Sequence, residues 1–431
     1  MKKVFISVIL TAVVAVVASF FLLREDSNSS SPQHTNEEAI SPDVKDKRGS
    51  LVKFEYLETF TKNQINRSNA NFYSRATVPQ TQYSVDRYSM SFNSTEDDGE
   101  PLIIKSQLFV PKMQEGAEAP LYVFGQGTTG LGDRCAPSRE FPEVSNWGNY
   151  RAHMLSYASK GYIVVFPDYE GFNDKTRLHH YFNAELEGKV LLDSARAAFN
   201  FFKEESLPVN PEEAVFFAGY SQGGHAAFAV KDLAPQYAPE LPIKGVIGYG
   251  ATTNVVAMIK ENPTFAPYLF YSYSDHYGEE VVDPSELLLP KLLPTLRVDT
   301  ITICVGDIYK RYGYNAKQIY SQSFYNALYN DKLDDEFPTL KKVLDQNNSG
   351  YLSSSILSLI LQRSTDPIVT LKSQKEFINQ MCSAGNNLTY LEYPGVHHYQ
   401  TRQVSFQDTL DWMQDIVNGQ TPKSDCNKFV S

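Results

Sequence analysis

The chain has 431 residues and a formal net charge of −11, and its composition is 42% hydrophobic and 21% charged. This length and composition are typical of a globular protein with one large domain and an insertion, or with two average domains. The acidic balance and the absence of a Lys/Arg run disfavour nucleic acid and anionic lipid headgroups as partners.

The first element in chain order is an N-terminal export segment. Lys2 and Lys3 precede an unbroken apolar stretch over residues 4–23. A positive start followed by an apolar run predicts a signal peptide or signal anchor over residues 1–23. A run of about twenty residues is long for a cleaved signal and just long enough to span a bilayer, so both interpretations stay open. Membrane contact is expected only through this segment, if it is uncleaved. The polar composition of residues 24–50 predicts a flexible linker.

Residues 51–431 are predicted to form one folded domain that begins with alternating strands and helices. The predicted strands are residues 83–92, 102–110, 121–124, 162–166, 214–218 and 243–249. The predicted helices are residues 150–160, 184–203 and 223–233. The first two strands read as an antiparallel pair joined by an acidic turn at residues 96–99. The alternation predicts an α/β fold, with a mostly parallel sheet covered by helices on both faces.

Residues from about 251 to 350 break this rhythm, because they are rich in Tyr, Leu and Pro and contain few clear strands. We expect them to form a helical cap over the carboxyl edge of the sheet. The pattern then resumes with predicted strands at 355–361 and 388–393 and predicted helices at 373–381 and 406–417. The cap is therefore expected as an insertion between the predicted strands at 243–249 and 355–361.

The sequence Gly-Tyr-Ser-Gln-Gly at residues 219–223 matches the pattern G-x-S-x-G. A predicted strand leads into it and a predicted helix leads out, as the tight turn that carries a nucleophilic serine requires. The helix N-terminus there favours developing negative charge. We therefore predict Ser221 as the nucleophile of a serine hydrolase.

A serine hydroxyl needs a base that takes its proton. His397 and His398 follow the predicted strand at residues 388–393, where this fold places its base. Adjacent side chains in extended backbone point apart, so one of the two should face Ser221. His398 is preferred because a Gly-x-x-His arrangement is common at this turn, and His397 stays the alternative.

The third member of a triad is a carboxylate that holds the imidazole in one tautomer. Asp366 follows the predicted strand at residues 355–361 and precedes the histidines by one helix–strand unit. The chain order Ser, Asp, His is the order expected of α/β-hydrolases. Asp307, after the apolar run at residues 301–305, is the alternative.

An oxyanion intermediate needs two preorganised N–H donors. The backbone amide of Gln222 should supply one, and Gly127 or Thr128 in the Gly-rich loop after the predicted strand at 121–124 should supply the other. His225 lies one turn beyond Ser221, and we expect it to pack behind the turn. His179, His180 and His276 lack carboxylate or cysteine neighbours at ligand spacing, so we expect no catalytic metal. No cofactor is expected either.

Four cysteines, Cys135, Cys304, Cys382 and Cys426, all follow the export segment. An even number of cysteines in an exported protein predicts two disulfides. Four cysteines permit three connectivities, and their spacing alone does not choose among them.

Taken together, these motifs resemble the secretory lipases, the lipase A-type α/β-hydrolases of fungi and bacteria. The resemblance runs from about Asn71 to Cys426 and is carried by GTTG at 127–130, CAPS at 135–138, GYSQGGH at 219–225, DP at 366–367 and GVHH at 395–398. It implies a triad of Ser221, Asp366 and His398, a helical cap, and the disulfides Cys135–Cys304 and Cys382–Cys426. One departure is the loop Gly125-Gln126-Gly127, where bacterial relatives often have His-Gly and fungal relatives an acidic residue.

The expected function is hydrolysis of carboxylic esters, with an apolar acyl ester or lipid as the substrate. The apolar side chains of the predicted cap suit an acyl pocket, although packing within the cap explains them equally well; they are Tyr268, Leu269, Phe270, Tyr271, Leu287, Leu288 and Leu289. A secreted peptidase of the prolyl-peptidase type on the same fold is one alternative. A non-catalytic binding protein is another, but all three triad candidates are present.

Overall fold

The computed structural model describes residues 47–96, 99–141, 146–395 and 397–429. These residues belong to the second of the two compact units of the chain, Ile40–Ser431. The predicted export segment, most of the predicted linker, and part of the predicted acidic turn lie outside the described residues. None of the helices in the described ranges combines the length and apolarity that a bilayer crossing requires.

In the described part of the chain, nine strands form one sheet. They are β1 (Leu51–Phe60), β2 (Val85–Thr95), β3 (Pro101–Pro111), β4 (Ala117–Gly125), β5 (Ile163–Pro167), β6 (Val209–Tyr220), β7 (Ile243–Tyr249), β8 (Leu357–Arg363) and β9 (Leu388–Tyr393). Their spatial order is β1-β2-β3-β5-β4-β6-β7-β8-β9. The pairs β1–β2, β2–β3 and β3–β5 are antiparallel, and all remaining pairs are parallel. The predicted mostly parallel sheet is confirmed.

Helices cover both faces of this sheet and fill the insertion between β7 and β8. In chain order they are α1 (Lys62–Phe72), α2 (Tyr150–Ala158), α3 (Ala184–Glu204), α4 (Gln222–Tyr237), α5 (Val255–Glu261), α6 (Ala266–Tyr277), α7 (Pro284–Leu287), α8 (Leu296–Thr302), α9 (Val305–Tyr312), α10 (Gln322–Tyr329), α11 (Leu333–Glu336), α12 (Pro338–Gln346), α13 (Leu371–Ser383), α14 (Thr401–Val404) and α15 (Phe406–Val417). Helices α5 to α12 form the helical insertion that the sequence predicts.

The two faces of the sheet form separate hydrophobic cores, because successive side chains of a strand point to opposite sides. In β4, Leu121 and Val123 belong to the core that α3, α4 and α13 cover, whereas Tyr122 and Phe124 belong to the core that α1, α2 and α15 cover. The helical insertion has a third core of its own. Residues 121–125 of β4 and the whole of β5 are buried on both sides, which explains the continuous apolar runs of these two central strands.

The sequence interpretation missed β1 and α1. β1 pairs only with β2 among the described strands, and its side chains Val52 and Tyr56 are about half exposed, at 50% and 52%. An edge strand of this kind lacks the apolar run that marks a buried strand. α1 had a readable signal, since the Thr61 hydroxyl accepts the Gln64 amide and the Gln64 side chain accepts the Thr61 amide. This reciprocal pair is a capping box.

The two disulfides join Cys135 to Cys304 and Cys382 to Cys426. This is the pairing that the family resemblance implies. The first bond ties the loop after β4 to the helical insertion, and the second ties α13 to the C-terminal segment. Bonds that close loops of 169 and 44 residues restrict the unfolded chain, and each is expected to stabilise the fold by about 3–5 kcal/mol.

Candidate active site

The turn between β6 and α4 holds Ser221 in an unusual backbone conformation, with φ of 57° and ψ of −115°. Positive φ is rare for a residue with a side chain, and it persists only where the surroundings hold it. Here the Ser221 amide donates to the Tyr249 carbonyl at 3.1 Å, and the Ser221 carbonyl accepts the amides of Gly224 at 2.9 Å and Thr252 at 3.2 Å. These bonds to β7, to the segment after β7 and to α4 hold a strained strand-to-helix turn of the kind on which a nucleophilic serine is displayed.

The two glycines of the motif are required by close backbone contacts. A Cβ atom added to Gly219 would overlap the Gly223 carbonyl, and one added to Gly223 would overlap the Gly125 carbonyl. The first contact lets the chain turn sharply from strand to helix. The second lets the loop after β4 lie directly against the start of α4.

We expect Gly223→Ala to destabilise the protein by at least about 3 kcal/mol, because backbone atoms must move to admit the methyl group. Gly306→Ala in α9 is the matched control, since a Cβ atom there has no neighbour within 4 Å. That change should be neutral or stabilising by up to about 1 kcal/mol. Urea unfolding of both variants measures the difference, and equal midpoints would contradict the packing argument.

His398 and Asp366 form a buried pair. The Nδ1–H of His398 donates to Asp366 Oδ2 at 2.6 Å, and the two residues are 8% and 5% exposed. The other carboxylate oxygen, Oδ1, accepts the backbone amides of Ile368 at 2.8 Å and Val369 at 3.1 Å. A carboxylate held in this way fixes the orientation and tautomer of the imidazole. Nε2 is therefore the basic nitrogen, and it is buried without a hydrogen-bond partner in the described ranges.

This pair lies beside the serine turn. The His398 ring lies 4.8 Å from the ring of Tyr220, the residue before Ser221. A Cβ atom on Gly250, which follows the Tyr249 partner of the serine amide, would lie 2.9 Å from His398 Cε1 and 3.4 Å from Asp366 Oδ2. The three residues follow β6, β8 and β9, so their strands bring them to one edge of the sheet. The Ser221 hydroxyl is not hydrogen-bonded to Nε2 in this structure.

The two alternative residues lie elsewhere. His397 is exposed, with its ring 5.4 Å from that of Tyr399. The Asp307 side chain is 68% exposed and pairs with Lys310 in α9 at 2.7 Å. Neither is joined to the other candidate residues by a contact of the kind that links His398 to Asp366.

The predicted oxyanion donors lie on two sides of the turn. Gln222 is the first residue of α4, where backbone amides have no acceptor within the helix. The Gly127 amide donates to the Tyr150 hydroxyl at 3.0 Å, and the Thr128 hydroxyl lies 2.6 Å from the Tyr181 hydroxyl. The Gly127 amide thus already has a buried acceptor, which favours Thr128 as the candidate for the second donor.

Arg402 is a buried residue near the site that the sequence interpretation missed. It is 1% exposed, and its guanidinium lies 4.5 Å from the Tyr220 ring centre and 5.0 Å from the Tyr150 ring centre. Arginine is rarely buried, so its place in a helix after the base gave no signal. These cation–π contacts join α14, which follows His398, to Tyr220 before the serine turn and to Tyr150, whose hydroxyl accepts the Gly127 amide.

Asp168 and His225 have structural partners. Asp168 accepts the Ser138 amide at 2.8 Å and the Asn173 side chain at 2.5 Å, and burial raises its pKa to about 6. His225 is fully buried behind the turn, where the sequence interpretation places it. Within the described residues, no group of three or more His, Cys, Asp or Glu side chains is arranged to hold a metal ion.

Comparisons with known proteins agree with this architecture. The secretory lipase family model matches residues 151–267. The secreted triacylglycerol lipase LIP4 of Malassezia globosa is 24% identical over 352 residues, which cover 78% of this chain and 73% of the relative. The match thus includes most of the described domain and not only the serine motif.

Solved structures show the same fold. A putative hydrolase from Legionella pneumophila superposes with a TM-score of 0.71 at 20% identity, covering 86% of this chain and all of that one. Lipase A from Candida antarctica superposes with a TM-score of 0.65 at 20% identity, covering 90% and 86% of the two chains. The chain is therefore an α/β-hydrolase related to the secretory lipases, and a carboxylic ester hydrolase of the lipase/esterase class.

Proposed function

We propose that the protein hydrolyses carboxylic esters through an acyl-enzyme formed on Ser221, with His398 as the base and Asp366 as the residue that orients it. The observation that carries this proposal is the 2.6 Å hydrogen bond between Asp366 and His398 Nδ1, which leaves a buried, unpartnered Nε2 beside the serine turn. A neutral imidazole with a free Nε2 is the form that accepts a proton from a serine hydroxyl.

In the proposed reaction the Ser221 hydroxyl attacks the ester carbonyl while His398 Nε2 takes its proton. The Asp366 carboxylate stabilises the imidazolium that forms, and the backbone amides of Gln222 and Thr128 stabilise the oxyanion. His398 then protonates the leaving alcohol, and a water molecule cleaves the acyl-enzyme by the same steps. The Ser221 and His398 side chains are expected to approach on substrate binding, because catalytic hydrogen bonds are often long in the ligand-free state.

The proposed substrate class is esters of apolar acyl chains. Its support is the similarity to a protein named a secreted triacylglycerol lipase. The apolar side chains of the insertion do not add to it, since several of them pack in the insertion's own core; they are Tyr268, Leu269, Phe270, Leu287 and Leu288. The described part of the insertion therefore uses these residues for folding.

A comparison of substrates tests the proposal against the peptidase alternative. We expect purified protein starting near Ser50 to hydrolyse p-nitrophenyl esters with kcat/KM at least about 100-fold above that for peptide anilides, because an amide is the harder bond and the relatives are lipases. A series of acyl lengths then gives the preferred chain. Anilide turnover equal to or above ester turnover would contradict the proposal.

We further propose that residues 1–23 export the protein, as a signal peptide or a signal anchor. Residues 24–50 would link this segment to the hydrolase domain at 51–431. The cap of that domain would span about 251–350. The two disulfides support export, because such bonds persist in oxidising compartments.

A further inference from the structure

A network of buried polar side chains is hydrogen-bonded around the side chain of Gln222. Every member is at most 3% exposed; the members are Glu170, His179, Glu187, Gln222 and His225. The side-chain nitrogen of Gln222, Nε2, lies 2.6 Å from Glu187 Oε1 and 2.7 Å from His179 Nε2. The side-chain nitrogen of glutamine carries two hydrogens, and Gln222 donates one to each of these two acceptors.

The hydrogen bonds of His179 show which of its ring nitrogens carries the hydrogen. Its Nε2 accepts from Gln222, so its hydrogen is on Nδ1, which donates to Glu170 Oε1 at 3.2 Å. The same carboxylate oxygen accepts the backbone amide of His180 at 2.7 Å. His179 is thus held on one side by a carboxylate and presents a single acceptor to Gln222.

Glu187 holds the other half of this hydrogen-bonded network. Its Oε1 also accepts the Phe182 backbone amide at 3.1 Å, and its Oε2 lies 2.7 Å from His225 Nδ1. His225 Nε2 lies 2.6 Å from the Asn347 carbonyl, which only accepts, so Nε2 carries a hydrogen. Both carboxylate oxygens of Glu187 therefore have hydrogen-bond partners. Through Glu187 in α3 and His225 in α4, these bonds connect the two helices to Asn347 at the end of the insertion.

We infer that Glu187, together with His179 and His225, is a positioning residue that holds Gln222 so that its backbone N–H is preorganised for the oxyanion. This inference rests on the proposed function, in which that amide binds the oxyanion. Gln222 is the first residue of α4, so no bond within the helix fixes its amide, and its side chain provides the restraint. Oxyanion donors act through such preorganisation, and a small misplacement costs much of the rate.

Two variants of Glu187 separate positioning from packing. Glu187→Met keeps the size of the side chain but removes both acceptors, and we expect kcat for a p-nitrophenyl ester to fall about 10- to 100-fold with KM within about threefold. The affinity for an apolar trifluoromethyl ketone, which places an oxyanion in the same site, should fall by the same factor. Glu187→Gln should restore most of this loss, since its oxygen accepts from Gln222 and Phe182 and its nitrogen donates to His225.

Asp193 provides the matched control in the same helix. Its carboxylate is fully buried and accepts the hydroxyls of Ser94 and Tyr237. Asp193→Leu should lower the melting temperature but leave kcat and the inhibitor affinity unchanged.

Gln222→Met is a second test variant, which replaces Glu187→Met if that protein does not fold. It removes the side-chain amide of residue 222 and keeps its backbone amide. It should show the same loss of kcat, and the double variant should lose no more than either single variant.

Two results would overturn the inference. In one, the Glu187→Met and Gln222→Met variants lose melting temperature, as Asp193→Leu does, but keep kcat/KM and inhibitor affinity within about threefold of wild type. In the other, the wild-type protein neither turns over esters nor reacts with a fluorophosphonate. That second result is read before any variant is made and shows that the proposed function itself has failed.

Discussion

Ser221→Ala is expected to abolish labelling by a fluorophosphonate probe and to lower kcat for ester hydrolysis by on the order of 10⁵–10⁶-fold. In the proposed mechanism the Ser221 hydroxyl oxygen bonds to the acyl carbon or to the phosphorus, and alanine leaves no nucleophile at the turn. The folded structure should persist, because the bonds that hold residue 221 are made by its backbone. Gel-based labelling and a stopped assay with a p-nitrophenyl ester measure both effects.

The control for this change is Ser349→Ala. Ser349 is 1% exposed, and its hydroxyl has no hydrogen-bond partner in the described ranges. Its removal should leave labelling and kcat unchanged. Labelling that survives in the Ser221 variant, or is lost in the Ser349 variant, would defeat the assignment of the nucleophile.

Asp366→Asn is expected to lower kcat about 10⁴-fold with little change in KM. The asparagine oxygen still accepts the Ile368 and Val369 amides, so its NH₂ group faces His398 Nδ1. That arrangement makes Nδ1 an acceptor and moves the imidazole hydrogen to Nε2, where it blocks proton transfer from Ser221. Steady-state kinetics, with the melting temperature as a check on folding, measure the effect.

The comparison for this variant is Asp307→Asn. That carboxylate is exposed and pairs only with Lys310 among the described residues, so its change should leave kcat within about twofold. If the Asp307 variant lost activity and the Asp366 variant kept it, the pair at the serine turn would not be the catalytic pair.

The sequence by itself predicted most of the strands and helices and the position of the serine turn. Apolar runs predict β7 and β9 at their observed bounds, and helical periodicity predicts α15 in the same way. The G-x-S-x-G motif marks the serine turn, because the close contacts of its glycines are local. These signals are readable since they depend on residues at most a few positions apart, where backbone geometry fixes the spacing.

Only the tertiary structure decided which side chains meet. His398 rather than His397 contacts Asp366, because the chain after β9 turns one imidazole inward and leaves the other exposed. The carboxylate of Glu187 reaches Gln222 and His225 across the contact between α3 and α4, from 35 and 38 positions away. Contacts of this kind depend on how the helices and strands pack against one another, and no periodicity in one segment records the position of another.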